Sequence, residues 1–171
     1  MEIKEVTTAK ELKAFVRFPR RLYKGCPHFV SALDKGELRA LREHPALAFC
    51  TLKLWLAYQD GQVVGRIGGL INHKCNDIKE QKRVRFGWFD VIEDVEVARA
   101  LLETVQNWGR EQGMDTICGP SRFSNLEKQS MLVEGFDHTP SIAADYNYPY
   151  YPEFMDQLGF EKEVDYIQYK V

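Results

Sequence analysis

Glu127 is the carboxylate of this chain whose type and context best suit a general base. In Ser124-Asn125-Leu126-Glu127-Lys128-Gln129 it stands in a polar loop after a strand end, among groups such as Asn125 that could orient a substrate. A solvated Glu paired with a neighbouring Lys is the alternative account. Asp137-His138 is a second acid–base pair, because an unperturbed imidazole titrates near neutrality. An Asp at that place can equally anchor a loop turn. Tyr146-Asn147-Tyr148-Pro149-Tyr150-Tyr151 could wall an acyl chain or a flat ligand, or pack as a loop on a sheet. His138, Tyr146 and Asn147 therefore join Asn125 as candidate substrate contacts. His73-x-Cys75 offers two metal-ligand types without a second pair, which predicts no metal site.

The elements that must position these residues are written in the patterning. Ile3 and Val6 fit a short strand, and Thr8-Ala9-Lys10-Glu11 reads as a capping box opening a helix through Leu12, Phe15 and Val16, limited or kinked by Pro19. Asp34, with Glu37 three residues on, predicts a second cap before Leu38 and Leu41, and Pro45 ends that segment. Leu52, Leu54 and Leu56 alternate with Lys53, Trp55 and Ala57, Asp60-Gly61 makes a two-residue turn, and Val63 to Ile71 returns as a hairpin. In the returning strand Gly65, Gly68 and Gly69 signal a bulge or a close backbone approach. A polar linker over 72–82 leads to a strand from Val84 to Ile92. A helix then runs from about Asp94 to Gln112, with Val97, Leu101, Val105 and Trp108 at helical spacing and Gly113 to stop it. Thr116-Ile117-Cys118 is a short strand. Residues 121–149 carry no clear pattern. A last helix opens near Pro152, shows Phe154 and Leu158 on one face, and ends at Gly159; Val164, Tyr166 and Tyr169 predict a closing strand.

Bulk properties narrow the function class. At 171 residues, 44% hydrophobic and 28% charged, the chain reads as one soluble globular domain spanning 1–171. A formal charge of −2 argues against a nucleic-acid binder driven by global positive charge. Arg17, Arg20, Arg21 and Lys24 could still meet an anion, or form a solvated helix face. Four scattered cysteines without a Cys-x-x-Cys pair, and a charged start without an apolar h-region, predict a cytoplasmic protein with free thiols. No apolar run approaches spanning length, which predicts no membrane segment.

The order of elements, the hairpin with Val63-Val64-Gly65-Arg66-Ile67 and the ending Leu158-Gly159-Phe160 resemble the GNAT superfamily of acyl-CoA N-acyltransferases. Phe18-Pro19-Arg20-Arg21-Leu22-Tyr23, Phe86-Gly87-Trp88-Phe89, Val133-Glu134-Gly135-Phe136-Asp137 and Tyr150-Tyr151-Pro152-Glu153 are similar to a little-described bacterial branch of it, whose members are often longer chains. The present chain would then be a short member or one domain of a longer protein. The resemblance implies an α/β (α+β) fold: a mixed, mostly antiparallel central sheet with helices on both faces. It implies transfer of an acyl group from acetyl-CoA or another acyl-CoA to a small-molecule amine. An oxyanion contact would come from backbone N–H near Val91 or Ile92, and the CoA phosphates would meet the turn and first helical residues Val95, Glu96 and Val97. That turn, Ile92-Glu93-Asp94-Val95-Glu96-Val97, departs from the superfamily's pattern in holding no glycine, and its carboxylates already complement the helix end. Where many GNAT enzymes carry an acid Tyr, four residues before the final Gly, this chain has Met155; Tyr151, one turn earlier, is the candidate acid. Without a phosphate loop, an acyl carrier protein meeting the Arg17–Lys24 cluster is a second conceivable donor. The same departures suit a GNAT-fold binding module without catalysis.

Overall fold

The computed structural model describes residues 1–142 and 144–169. Eleven elements follow in chain order: β1 (Glu2–Glu5), α1 (Ala9–Leu22), α2 (Asp34–Glu43), a 3-10 turn (Pro45–Ala48), β2 (Cys50–Gln59), β3 (Gln62–Asn72), α3 (His73–Ile78), β4 (Arg83–Val91), α4 (Val95–Glu111), β5 (Thr116–Cys118) and α5 (Tyr150–Gln157). The strands form one sheet in the order β1-β2-β3-β4-β5. Every pairing is antiparallel except the last, β4 with β5, which is parallel. Among the described residues no helix is long and apolar enough to cross a membrane.

Alternation on β2 feeds two cores. Leu54 and Leu56 face one side with Phe15, Val16, Leu41, Trp88 and Phe123. Trp55 and Ala57 face the other, with Val97, Leu101, Val105 and Trp108 of α4 and Tyr151 and Phe154 of α5. The sheet is thus covered on both faces, as the resemblance implied. α1 opens with the predicted capping box, Thr8 accepting from the Glu11 N–H. α4 opens on Asp94 and closes in a left-handed turn at Gly113, α5 in another at Gly159 (φ +75°).

Four expectations are corrected. Pro19 neither ends nor limits α1, which continues to Leu22. Pro19 has no N–H to give the Phe15 carbonyl four residues back, and Arg66 Nη1 donates to that oxygen instead at 2.9 Å. Asp34 does not cap α2; Leu33 stands there without a side-chain cap, and Asp34 binds Arg17 and Arg20 at 2.9 and 2.7 Å. The 72–82 segment is not a plain linker: Asn72 caps α3 by accepting from the Cys75 N–H at 2.8 Å. Finally, 160–169 contains no strand, and Val164, Tyr166 and Tyr169 are exposed. Alternation states what a segment can do, but a strand also needs an edge to pair with, and β5 is only three residues long. The predicted strand's last two positions, 170 and 171, lie outside the described residues.

The feature that matters most for the site is a bulge in β4. Arg66 pairs with Asp90 and Gly68 with Gly87, so Trp88 and Phe89 together oppose Ile67 alone. Trp88 takes the left-handed conformation, φ +48°. Gly68 lets its indole in: a Cβ there would stand 2.7 Å from Trp88 Cε3. β4 pairs with β5 as far as Arg85 and Cys118, the Ser121 N–H still donates to the Phe86 carbonyl at 2.8 Å, and beyond that bond the two diverge while β4 runs on to Val91.

Candidate functional site

The divergence leaves the last stretch of β4 with one side unpaired. The Ile92 N–H donates back to Val64 on β3 at 3.0 Å, so the preceding N–H, on Val91, points the other way, into the gap. Tyr151 of α5 meets it, its hydroxyl accepting from Val91 N at 2.8 Å and donating to the Val91 carbonyl at 3.2 Å; Tyr150 donates to the same carbonyl at 2.8 Å.

Beside the gap lies a cleft of ≈ 60 Å³ whose walls include Arg66, Asp90, Arg122, Lys128, Asp145 and Tyr151. Two charged groupings line it. In the first, Asp90 accepts from Arg66 Nε at 2.7 Å and from the Tyr23 hydroxyl at 3.0 Å, and the Tyr23 and Tyr151 hydroxyls stand 3.1 Å apart. Arg66 also lies over the Phe15 ring, 4.9 Å from its centroid. In the second, Arg122 lies over Trp88 and bridges Glu37 (3.0 Å) to Asp145 (3.3 Å), whose other oxygen holds Lys128 at 2.9 Å. Glu37 in turn accepts from Trp88 Nε1 at 3.2 Å, fixing the bulge. The Arg122 Nε is buried without a partner among the described residues. Three cations thus face three carboxylates, which keeps the enclosed charge balanced.

Burial, then the Asp90 charge, push the hydroxyls of Tyr23 and Tyr151 well above the ordinary phenol value, so both carry their protons. Burial and a hydrogen bond with Cys26 raise Tyr146 to about 12. Enclosure raises the Asp145 carboxyl, but Arg122 and Lys128 outweigh it and hold it below the usual carboxylate range.

The sequence candidates divide between this cleft and the surface. Tyr151, the candidate acid, is 1% exposed, with its hydroxyl on Val91. Tyr146 and Asn147 line the cleft. Asn147 is gripped by the Leu132 N–H and the Leu132 and Tyr148 carbonyls, so its amide serves the loop. Glu127 lies elsewhere, paired at 2.8 Å with His44, which stacks on Phe123. Asn125 is exposed, and its carbonyl accepts from Gln129. His138 is exposed and binds Asp137 at 2.7 Å. At the α4 end, Asp94 accepts from the Glu96 N–H at 2.9 Å, Glu96 binds Arg99, Val95 is partly buried and Val97 fully so. Of the basic cluster, Arg17 and Arg20 bind Asp34 with their side chains still largely exposed, Arg21 donates to the Val63 carbonyl, and Lys24 is exposed.

Tyr23, Arg66 and Asp90 were missed as site residues, although a signal existed. Arg66 is the only charged residue in the apolar run 63–71, and Asp90 the only one in 86–92, with opposite signs on two successive strands. Two such charges are best explained by one buried pair. Arg122, Asp145 and Glu37 come from segments without pattern and gave no comparable signal.

No family model matches the chain. It is 31% identical over 157 residues to Protein YghO of Escherichia coli (strain K12), covering 91% of this chain and 40% of that protein. It is 29% identical over 168 residues to the bacterial ceramide synthase of Caulobacter vibrioides, covering 96% and 44%. The chain therefore spans about four-tenths of the length of these curated relatives. Among solved structures, an aminoglycoside acetyltransferase from an uncultured soil sample, in complex with sisomicin, superposes with a TM-score of 0.60 at 11% identity over 99% of this chain and 95% of that one. The aminoglycoside acetyltransferase AAC(6')-Iy, in complex with a CoA-containing bisubstrate analog, gives 0.59 at 20% identity over 99% and 97%. A tandem GNAT protein from the clavulanic acid pathway gives 0.60 at 16% identity over 92% and 43%. Likeness at such identities speaks to the fold.

Proposed function

We propose that this chain, which has the GNAT fold, is an N-acyltransferase domain moving an acyl group from a CoA-type thioester to a small-molecule amine. The observation that carries the reading is the bulged β4: it parts from β5 and turns one backbone N–H, that of Val91, toward the gap beside a charged cleft. Backbone donors survive side-chain replacement, so this one can serve whatever the chain's other departures. A thioester carbonyl entering the gap takes the Val91 N–H as the Tyr151 hydroxyl turns to the sulfur. One such donor aimed at a developing oxyanion is worth roughly 3–4 kcal/mol, and holding amine and thioester together contributes roughly 7–11 kcal/mol. Glu37, Asp90 and Asp145, each already paired with a cation, offer the cleft acceptor oxygens for the N–H groups of an amine. The relative named a ceramide synthase, and the neighbour in complex with a CoA-containing analog, support an acyl donor of this class.

The acid-capped α4 favours a second reading, a GNAT-fold module that binds a ligand or partner without turnover. One experiment separates the two. The chain is titrated calorimetrically with acetyl-CoA and a long-chain acyl-CoA, and thiol release is followed with a panel of amines. Binding with amine-dependent thiol release supports the transferase, binding without release supports the module, and silence in both refutes the CoA thioester as donor.

A further inference from the structure

An acyl transfer to an amine must remove a proton from the attacking nitrogen and deliver one to the departing sulfur. We propose that Asp90, Tyr23 and Tyr151 form a single relay that carries the same proton equivalent from one to the other. The proposal rests on the acyltransferase reading and assigns its base and its acid to one connected chain of groups. With the Tyr151 hydroxyl turned from the Val91 carbonyl to donate to Tyr23, the hydrogen bonds are continuous: Tyr23 donates to Asp90 Oδ1 at 3.0 Å, Tyr151 to Tyr23 at 3.1 Å, and the Val91 N–H to Tyr151 at 2.8 Å. The relay's two ends, Asp90 and Tyr151, both line the cleft, and Tyr23 is buried between them. It connects α1, β4 and α5 across the place where the sheet has parted.

The step balances. The neutral amine forms its N–C bond to the thioester carbonyl while Asp90 takes the nitrogen's proton. As the C–S bond breaks, its electron pair leaves with sulfur and Tyr151 gives up its hydroxyl proton to the thiolate. Tyr23 reprotonates Tyr151, and the proton on Asp90 passes to Tyr23. The buried groups end with the charge they began with, which matters where an unpaired charge costs several kcal/mol. Each partner is held for the task. Arg66 fixes the second oxygen of Asp90 and is itself fixed by the Phe15 carbonyl that Pro19 leaves free. The tyrosines are kept protonated by burial and by the Asp90 charge. Glu37 and Asp145 are tied to Arg122 and Lys128 and have no such path to Tyr151 among the described residues.

The test uses the whole chain with the acyl-CoA and amine that give the fastest thiol release. Tyr151→Phe and Tyr23→Phe should each lower kcat about 100-fold, the low end for general acid–base catalysis, with KM for both substrates within threefold. Because the groups act as one unit, the double variant should lie within threefold of Tyr151→Phe rather than show multiplied losses. A proton inventory on wild-type kcat should be curved, as several protons moving together require, and should become linear in Tyr23→Phe. Replacing Tyr23 by 3-fluorotyrosine, which keeps the ring and hydroxyl but acidifies it, should change kcat and leave the melting temperature in place; it guards against a phenylalanine that merely loosens packing. A Tyr23→Phe kcat within twofold of wild type, or independent multiplicative losses, overturns the relay while the transferase stands. Absence of thiol release from the wild type with every amine overturns the transferase reading itself.

Discussion

Replacing Arg66 with methionine should cost this fold a large part of its stability, and replacing its partner as well should restore most of it. Arg66 and Asp90 side chains are 8% and 11% exposed, with 2.7 Å between Nε and Oδ2. Arg66→Met leaves Asp90 a buried carboxylate with only the Tyr23 hydroxyl from this grouping, and leaves the Phe15 carbonyl with no donor, since Pro19 cannot supply one. Breaking a buried pair from one side costs about 3–5 kcal/mol, against a total of roughly 5–15 kcal/mol for a domain. Asp90→Leu should cost a similar amount by stranding the guanidinium. The double variant Arg66→Met/Asp90→Leu removes both charges and fills the space with apolar atoms, so it should lie within about 2 kcal/mol of wild type.

Urea unfolding followed by tryptophan fluorescence suits the measurement, because Trp55, Trp88 and Trp108 are all buried. With a slope of about 2 kcal/mol per molar urea, each single variant should lower the midpoint by roughly 1.5–2.5 M. Single losses below about 1 kcal/mol, or a double variant as weak as the two losses added together, would refute the claim that this pair is desolvated and mutually dependent.

Other consequences can be read from the same geometry. Tyr23 and Tyr151 have folded-state values raised above the ordinary phenol value near 10, so their contribution is intact below that pH and lost as pH climbs toward the folded values. Stability should therefore fall above pH 10 by about 1.4 kcal/mol per pH unit for each, and Tyr23→Phe should shed one such increment in an alkaline urea series. Gly68→Ala should destabilise by about 1–3 kcal/mol, since its Cβ would meet Trp88 Cε3 at 2.7 Å; an unchanged melting temperature would show that the bulge does not need that contact. Glu127→Gln should lower thiol release less than threefold, while Asp90→Asn should lower it about 100-fold; the reverse order would return the general base to Glu127.

Local chemistry was legible where one short segment decides its own conformation. Asp60 and Gly61 take φ values of +49° and +76°, the turn their types demand, and the caps of α1 and α4 lie where Thr8 and Asp94 put them. What could not be read depends on partners distant in sequence. Nothing near Glu127 announces His44, and nothing near Tyr151 announces that the parting of β4 would bring Val91 within its reach. Pro19 shows the difficulty most clearly. By local rules it weakens a helix, yet the carbonyl it frees becomes the anchor of an arginine 47 positions away from it in the chain. The cost is local and the compensation tertiary, so a local reading sees only the cost.

The acyl donor should be recognised by its thioester end more than by its phosphates. At the start of α4, where a helix's unpaired N–H groups and dipole would ordinarily attract a pyrophosphate, Asp94 occupies the Glu96 N–H, and Glu93 and Glu96 add two further carboxylates. Even at bulk-water dielectric a carboxylate about 4 Å from a phosphate costs about 1 kcal/mol. An N-acyltransferase so built should use S-acetylpantetheine, which lacks the nucleotide and pyrophosphate, with kcat/KM within about tenfold of acetyl-CoA, the equivalent of about 1.4 kcal/mol. Salt offers an independent sign. If the nearest charges repel the donor, raising ionic strength from about 0.05 to 0.2 M should lower the acetyl-CoA KM, whereas a cationic phosphate grip would raise it. A preference of a thousandfold or more for the full coenzyme, combined with a KM that climbs with salt, would mean that the phosphates find cations elsewhere and that the acid-capped helix end is a bystander.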